Sequence, residues 1–488
     1  MATGKVMFGE WLPDLARYEN PGLVTADNAY PFNKAYAPFF PLETPSGTPL
    51  PATPAGLFIG TDSDGSQYAF AGTLTKLYDQ GVSITNNWTD RSGATTFTMS
   101  DASYFWSFAQ FDDEVVATNF SDVPVSKDIG STDDFATLAT TGTAPKARVC
   151  GVIGRFLILG DTDDGTHVPS RIAWSAIDDI HTWETPETSA ALAVQSGAQV
   201  FPQEYGPVTA IASGSLWGLV FQRYAIHRLR YVGGDTVFQI ETISRNIGCS
   251  SPRSVVERKG VFYFWSSDGI KATDGNEVLP IGKGKVDETV QLASLDNRQL
   301  IVGALDERYS CVVWAYTASV ALLKLLFYNY QEDRFGSADL ACNTMAQGRP
   351  QDGSDYTPAY PWFLNSSYYL TFLPALGTAS TATFTTGEAE LNEGGRVFIS
   401  GVRPLVSNYS SAKSPTSITV ALATRNTQDE EGLTFGSNTS RTSRTGMCDF
   451  RTGGRYVSAK TIITSGSGED TFRKAVGLQF EYDAEGAV

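Results

Sequence analysis

Residues 254–275 read SVVERKGVFYFWSSDGIKATDG, and this stretch decides the fold. Its apolar side chains run unbroken from Phe262 to Trp265, where a half-exposed strand would alternate, so the strand is expected to be covered on both faces. The turns Ser267-Asp268-Gly269 and Thr273-Asp274-Gly275 each put Gly where a tight connection wants φ > 0. The same unit of apolar strand, Asp or Gly turn, apolar strand and polar connection opens near Leu57, Phe105, Ala147, Thr209, Ser254 and Ile301. These openings are 48, 42, 62, 45 and 47 residues apart, and Phe156 to Leu159 repeats the unbroken apolar texture. A period in the forties, built of strands with little identity between copies, marks propeller blades, each a small sheet that cannot bury both faces alone. The expected fold class is all-β: a β-propeller of about six blades, with seven open, over residues 55–373, and an additional antiparallel β domain at the C-terminus over 374–488.

The C-terminal part differs in texture. After the small polar tract LGTASTATFTTG, strands read TATFTTGEAEL, GRVFISGVRPLV, TSITVALAT, RYVSAKTIIT and AVGLQFEY, with alternation at Ser417 to Val420 and Gly477 to Tyr482. A local basic excess lies here: Arg441, Arg444, Arg451, Arg455, Lys460, Arg473 and Lys474. A solvated face or subunit contact is the plain reading, and an acidic partner or nucleic acid the alternative. Residues 1–54 hold nine of the 23 prolines, interleaved with Trp11, Tyr18, Tyr30, Tyr36, Phe39 and Phe40. Proline bars a helix or a central strand there, so an extended arm is expected, laid over its own domain or over a neighbouring subunit.

Composition agrees with a folded chain of many short strands. Of 488 residues, 42% are hydrophobic and 12% aromatic, with 46 Gly and 23 Pro, which excludes a disordered tail and favours turns over helices. Only 18% are charged, below the roughly 25% usual for soluble domains, which points to large buried or intersubunit surfaces. A formal net charge of −17 argues against a protein that grips nucleic acid by neutralising phosphates. Cys150, Cys249, Cys311, Cys342 and Cys448 are odd in number and lack a CxxC pair, so neither a zinc knuckle nor a secreted disulfide framework is indicated and the thiols are expected to be reduced. No signal-peptide core is visible in MATGKVMFGEWLPDLARYENPG, and no run reaches the ~20 apolar residues of a membrane helix, so neither secretion nor membrane insertion is expected. The Asn-x-Ser/Thr matches at Asn87, Asn119, Asn365, Asn408 and Asn438 read as chance in a Ser/Thr-rich chain.

Chemistry-bearing motifs are sparse. The three histidines, His167, His181 and His227, have no metal-ligand spacing, and no nucleophile elbow, Walker loop or dinucleotide fingerprint occurs. Gly282-Lys283-Gly284-Lys285 follows a strand but lacks the leading Gly and trailing Ser/Thr of a phosphate cradle. The acidic turns Asp62-Ser63-Asp64-Gly65 and Asp161-Thr162-Asp163-Asp164-Gly165 begin like calcium loops, yet the position of the bidentate glutamate holds Thr73 and Ile172, so plain turns are expected. TWE at 182–184 and WSSDG at 265–269 echo the sialidase S-x-D-x-G-x-x-W box without completing it. Trp106, Trp174, Trp183, Trp217, Trp265 and Trp314 recur about once per unit, as blade packing or, alternatively, as a sugar-stacking groove. The residues thus assign no catalytic, metal or cofactor site and no cofactor, and the chain is expected not to be an enzyme.

The collinear order of WLPDL (11–15) and its Pro/aromatic arm, FAGTLTKLY, WSFAQFDDEVVATNFSD, RIAWSAIDDIHTW, GVFYFWSSDGIKATDGNEVLPIGKGKVDETV and TGEAEL with GGRVFISGVRPLV resembles the tail hub, or nozzle, proteins of short-tailed bacteriophages, also called packaged-DNA stabilisation proteins. The likeness runs from about Trp11 to about Val406 and no single motif is diagnostic. It implies a propeller-containing structural virion protein, assembled in the host bacterial cytoplasm as a homo-oligomeric ring, usually a hexamer, below the portal and adaptor. Such a ring extends the DNA channel without sequence-specific binding, helps retain the genome, and carries tail fibres or spikes and a plug. Six copies at −17 each would bring −102, an acidic wall that lets DNA slide. A different class, a carbohydrate-binding or carbohydrate-cleaving propeller at a cell surface, stays open and needs an export route.

Overall fold

The run Phe262–Trp265 splits its side chains between two neighbours. Phe262 and Phe264 bury against Leu219 and Phe221 of the preceding sheet, while Tyr263 and Trp265 bury against Trp314 and Tyr316 of the following one. Phe156–Leu159 does the same, Phe156 and Ile158 facing Val220 and Leu229, Leu157 and Leu159 facing Ala109 and Val116. Unbroken hydrophobicity is therefore two alternating faces, each covered by a different sheet. Gly269 (φ 132°) and Gly275 (φ 84°) occupy the conformations their turns ask for.

The computed structural model describes residues 2–99, 104–214, 217–294, 298–319, 322–348, 358–375, 377–408, 415–428, 433–466 and 470–485. Seven sheets among them form the blades of a β-propeller, each an antiparallel meander starting from an inner strand: Gly56–Thr61, Ser107–Phe111, Lys146–Ile153, Val208–Ser213, Val256–Arg258, Val302–Asp306 and Cys342–Gly348. All seven inner strands line one axial channel. The seventh blade was the one open in the sequence. It has three strands, Cys342–Gly348, Tyr360–Asn365 and Leu370–Phe372, and the stretch RPQDGSDYTPA between the first two hides the strand-turn-strand pattern.

The N-terminal segment closes this ring. The Glu43 N–H donates to Phe372 O (3.0 Å) and the Thr371 hydroxyl to Glu43 O (2.6 Å), beside the last strand of blade 7. A few residues on, the Ser46 and Gly47 N–H groups both donate to Ile84 O of blade 1 (2.9 and 2.8 Å). Leu50, 1% exposed, plugs the seam among Ile59, Ala69, Trp362 and Leu364. A single segment thus bonds to both blades where the meander itself supplies no covalent link.

Beyond blade 6 the chain builds two packed sheets. The outer strand of that blade, Arg334–Asp339, pairs in parallel with Leu23–Asp27, which pairs on its other side with Ala382–Thr386, and Tyr456–Thr464 and Ser417–Arg425 follow. The second sheet runs Ala29–Phe32, Ala35–Pro38, Phe472–Glu485, Arg396–Asn408 and Cys448–Gly454, with Ala2–Met7 on Phe472–Glu485. Phe384, Val397, Val420, Ile463, Phe472 and Phe480 fill the space between, and this core is continuous with Trp265 and Trp314. Here proline density misleads: Leu23–Asp27 is a central strand, because its five residues fall between Pro21 and Pro31 and contain no proline themselves. Pro31 sits on an edge strand, where its missing N–H is tolerated. The N-terminal segment lies over its own chain, shared between the two sheets and the propeller seam.

Candidate functional site

The axial channel encloses about 580 Å³. A B-form duplex, whose major groove alone is about 12 Å wide, does not enter a space of that size. Apolar side chains line it together with Ser107, Ser213, Thr344, Gln347 and one carboxylate, Glu257. Arg253, in the short turn Pro252–Ser254 before the inner strand of blade 5, reaches across this space, its guanidinium 5.0 Å from the ring centroid of Phe105 at the start of blade 2. Its terminal nitrogen donates to Gln299 O (3.2 Å), its Nε has no partner, and burial pulls its pKa down to about 10.

The histidines are placed apart from one another, each in its own bonding set. His227, 1% exposed, stacks on Phe201 at 4.2 Å and bonds through its ring nitrogens to Gln222 Oε1 (2.9 Å) and Thr242 Oγ1 (3.1 Å), and burial pushes it down to about 4. His181 ties blade 2 to the connection between the third and fourth strands of blade 3, between Leu138 O (2.7 Å) and Glu114 Oε1 (3.0 Å). Burial lowers its pKa, but these acceptors outweigh burial and leave it raised. His167 lies 2.5 Å from Asp161 Oδ1 and against Phe120.

The acidic turns are used by the chain itself. Asp161 Oδ2 accepts from Arg148 Nε (2.7 Å), whose guanidinium lies 4.6 Å from both the Tyr104 and Phe120 rings, and Asp164 pairs with Arg171 (2.6 Å). In the other turn Asp62 Oδ1 accepts the N–H groups of Asp64 and Ser66 (3.0 and 2.8 Å), a local side-chain turn. Among the described residues no group of three or more His, Cys, Asp or Glu is placed to hold a metal.

At Gly282–Lys285 the lysine is bound to acids: Lys285 Nζ reaches Asp333 Oδ2 (2.8 Å) and Glu10 Oε2 (3.4 Å). The helix that follows, Asp287–Ser294, presents its N-terminal N–H groups to Asp14. The Asp14 carboxylate accepts from Glu288 N–H and Thr289 N–H, both at 2.9 Å, so the place where a phosphate would lie holds a carboxylate of the chain. Asp287 is wedged between Gly269 and Gly282, where an added Cβ would stand 2.1 Å from its oxygens. Burial pushes its carboxyl up to about 6.

The tryptophans pack the blades. Trp106, Trp174, Trp183, Trp265 and Trp314 are buried, and four of them donate their indole N–H to backbone oxygens, such as Trp106 to Thr73 O (2.7 Å) and Trp314 to Ser254 O (2.8 Å). The five cysteines are buried and unbridged, and burial pushes the Cys150 and Cys249 thiols up to about 12, far from the thiolate range of reactive cysteines. Of the C-terminal cations, Arg455 pairs with Glu390 (2.9 Å), while Arg444, Arg451 and Arg473 are exposed. Asn119 is 1% exposed and its amide donates to Asp122, so its sequon is sealed in the fold.

A second cavity, about 310 Å³, opens beside blades 1 and 2, lined by Tyr68, Gln80, Asn86, Asn87, Arg91 and Thr132 among others. Beneath it Lys127, its side chain fully buried, sits 3.4 Å from Asp79, which also pairs with Arg91 (2.9 Å). Sequence reading gave no sign of this cavity or of Arg253, since neither belongs to a motif and both arise from residues brought together by ring closure.

No protein-family model matches the chain, and no curated protein matches it. Among solved structures the chain is similar to U3-55K, at TM-score 0.43 and 9% identity, covering 68% of this chain and 98% of that one. It is also similar to the WD40 β-propeller domain of Doa1, at TM-score 0.37 and 11% identity, covering 68% of this chain and 96% of that one. The propeller assignment itself stands on the seven sheets and their shared channel.

Proposed function

We propose that this chain is the protomer of a phage tail hub, or nozzle: a structural, non-catalytic virion protein that closes a ring, six copies being expected, below the portal and adaptor. The observation that carries the reading is the collinear likeness from Trp11 to Val406. Two features support it. The low charged fraction, 18%, suits a subunit with extensive obligate contacts. Exposed large hydrophobic side chains are also available for contacts: of twelve among the described residues, Leu192, Val200, Tyr224, Tyr231, Val232, Leu279 and Leu300 fall on blades 3 to 5 and the connection to blade 6. DNA in such a ring runs between protomers, outside each propeller's own narrow channel, past an acidic wall. Tail fibres or spikes and a plug dock on the ring. The test is assembly of particles without this chain. Heads that package DNA and then leak it, repaired by the purified chain at a fixed copy number counted by native mass spectrometry, support the reading. Infectious, DNA-tight particles without it overturn the reading.

A carbohydrate-binding propeller is the second reading, favoured by the 310 Å³ cavity with its amides and by the buried Gln80 Oε1, which has no partner. Glycan-array binding lost in Gln80→Ala would support it.

A further inference from the structure

The axial channel contains a cation without a counter-ion. Arg253 projects from the turn before blade 5 to the face of Phe105 across the channel, and among the described residues no carboxylate pairs with it. Of the five donors a guanidinium carries, one is used among the described residues, on Gln299 O. Nε is buried and unpartnered. The hydroxyl of Thr344, a residue 2% exposed on the inner strand of blade 7, lines the same channel and is also without a partner.

Leaving a charge buried and unpaired is unfavourable, and removal from water is why the guanidinium is held below its usual pKa. A planar fork of N–H groups matches the two oxygens of a carboxylate or phosphate. Arg253 keeps intermediate exposure, which leaves it within reach of small solutes, and about 580 Å³ is the size of pockets that hold metabolite-sized molecules.

We propose that the axial channel binds a small oxyanion-bearing molecule through a carboxylate or phosphate group held on Arg253 above Phe105. This site is independent of ring assembly and of any DNA path. It would tie blades 2, 5 and 7 together at the axis, so occupancy should stiffen the propeller.

The test is thermal unfolding and calorimetry of the full chain in sodium phosphate, and separately in sodium acetate, each against sodium chloride at equal ionic strength. A saturable rise in Tm with phosphate, with acetate or with both is expected, and the arm that responds names the oxyanion. Arg253→Gln should abolish the saturable rise, and Arg253→Lys, which keeps the charge and loses the fork, should weaken binding at least tenfold. Thr344→Val provides a third variant with an intact cation, expected to bind several-fold more weakly. No saturable response to either anion, or the same response in the wild-type chain and the Arg253 variants, overturns the proposal.

Discussion

Asp14 and Glu288 are 274 residues apart, yet the Asp14 carboxylate accepts the Glu288 N–H at 2.9 Å. The same carboxylate takes the N–H and the hydroxyl of Thr289 (2.9 and 2.7 Å). The N-terminal segment therefore caps the helix Asp287–Ser294 that follows blade 5, satisfying donors that no residue within the helix can reach. Asp14→Ala should lower stability by about 1 kcal/mol, the usual worth of a helix cap, and Asp14→Asn should retain part of it. The denaturant midpoint measures both, and an unchanged midpoint in Asp14→Ala would show that the cap contributes nothing.

Leu50 anchors the closing segment. It is 1% exposed in the seam between blades 7 and 1, and truncation there removes contacts from two blades at once. Leu50→Ala is expected to cost about 2–5 kcal/mol and to expose the chain near residue 50 to proteases before the rest. Unfolding curves and timed proteolysis read the two effects, and uniform cleavage throughout would contradict a local opening at the seam.

Much of this was legible beforehand, and the reason is local. Phe262–Trp265 and Phe156–Leu159 announce strands covered on both faces because side-chain alternation is fixed by the strand itself. The Gly positions announce their turns for the same reason. What could not be read were relationships set by closure: Glu43 beside Phe372, Leu23–Asp27 between blade 6 and Ala382–Thr386, and Arg253 reaching Phe105. Each joins residues far apart in sequence whose types carry no signal of a partner. The acidic turns were read by a missing ligand; the side chains of the second are found on Arg148, His167 and Arg171, and Asp62 of the first on backbone N–H groups.

Two histidines should respond to pH with opposite signs. His227 has a pKa of about 4 in the folded chain against ~6.5 unfolded, so between these values the unfolded chain binds the extra proton. Its contribution is complete above pH ~6.5 and declines as pH falls toward 4, by on the order of 3 kcal/mol. His181 is raised, so its contribution is complete below pH ~6.5 and is lost as pH rises through its folded value. Tm measured from pH 4 to 8 on His227→Gln and His181→Gln should show the acid slope flattened in the first and the slope above pH ~6.5 flattened in the second. An unchanged acid slope in His227→Gln would sink the assignment.

For the proposed ring, the exposed apolar residues of blades 3 to 5 are the candidate contact. A rotationally symmetric ring is built from heterologous contacts, so a patch on one side of each protomer must meet a different surface on the next. Val232 is 49% and Leu279 52% exposed, at the rims of blades 4 and 5, and neither belongs to a buried cluster that holds the monomer together. Substitutions at such positions usually change stability by less than about 0.5 kcal/mol. Val232→Asp and Leu279→Asp should therefore fold with nearly wild-type Tm. In a ring, each would bury an unpaired charge once per interface and so be penalised at every junction. In the proposed assembly a portal and adaptor template would raise the effective concentration of neighbours, so that contacts too weak to close a ring in free solution would become decisive on it. The expected outcome is that the double variant stays monomeric, fails to add to tails at fixed copy number and leaves heads that lose their DNA. Native mass spectrometry of the tails counts the copies, and a variant that assembles at wild-type stoichiometry would place the ring contact elsewhere on the protomer.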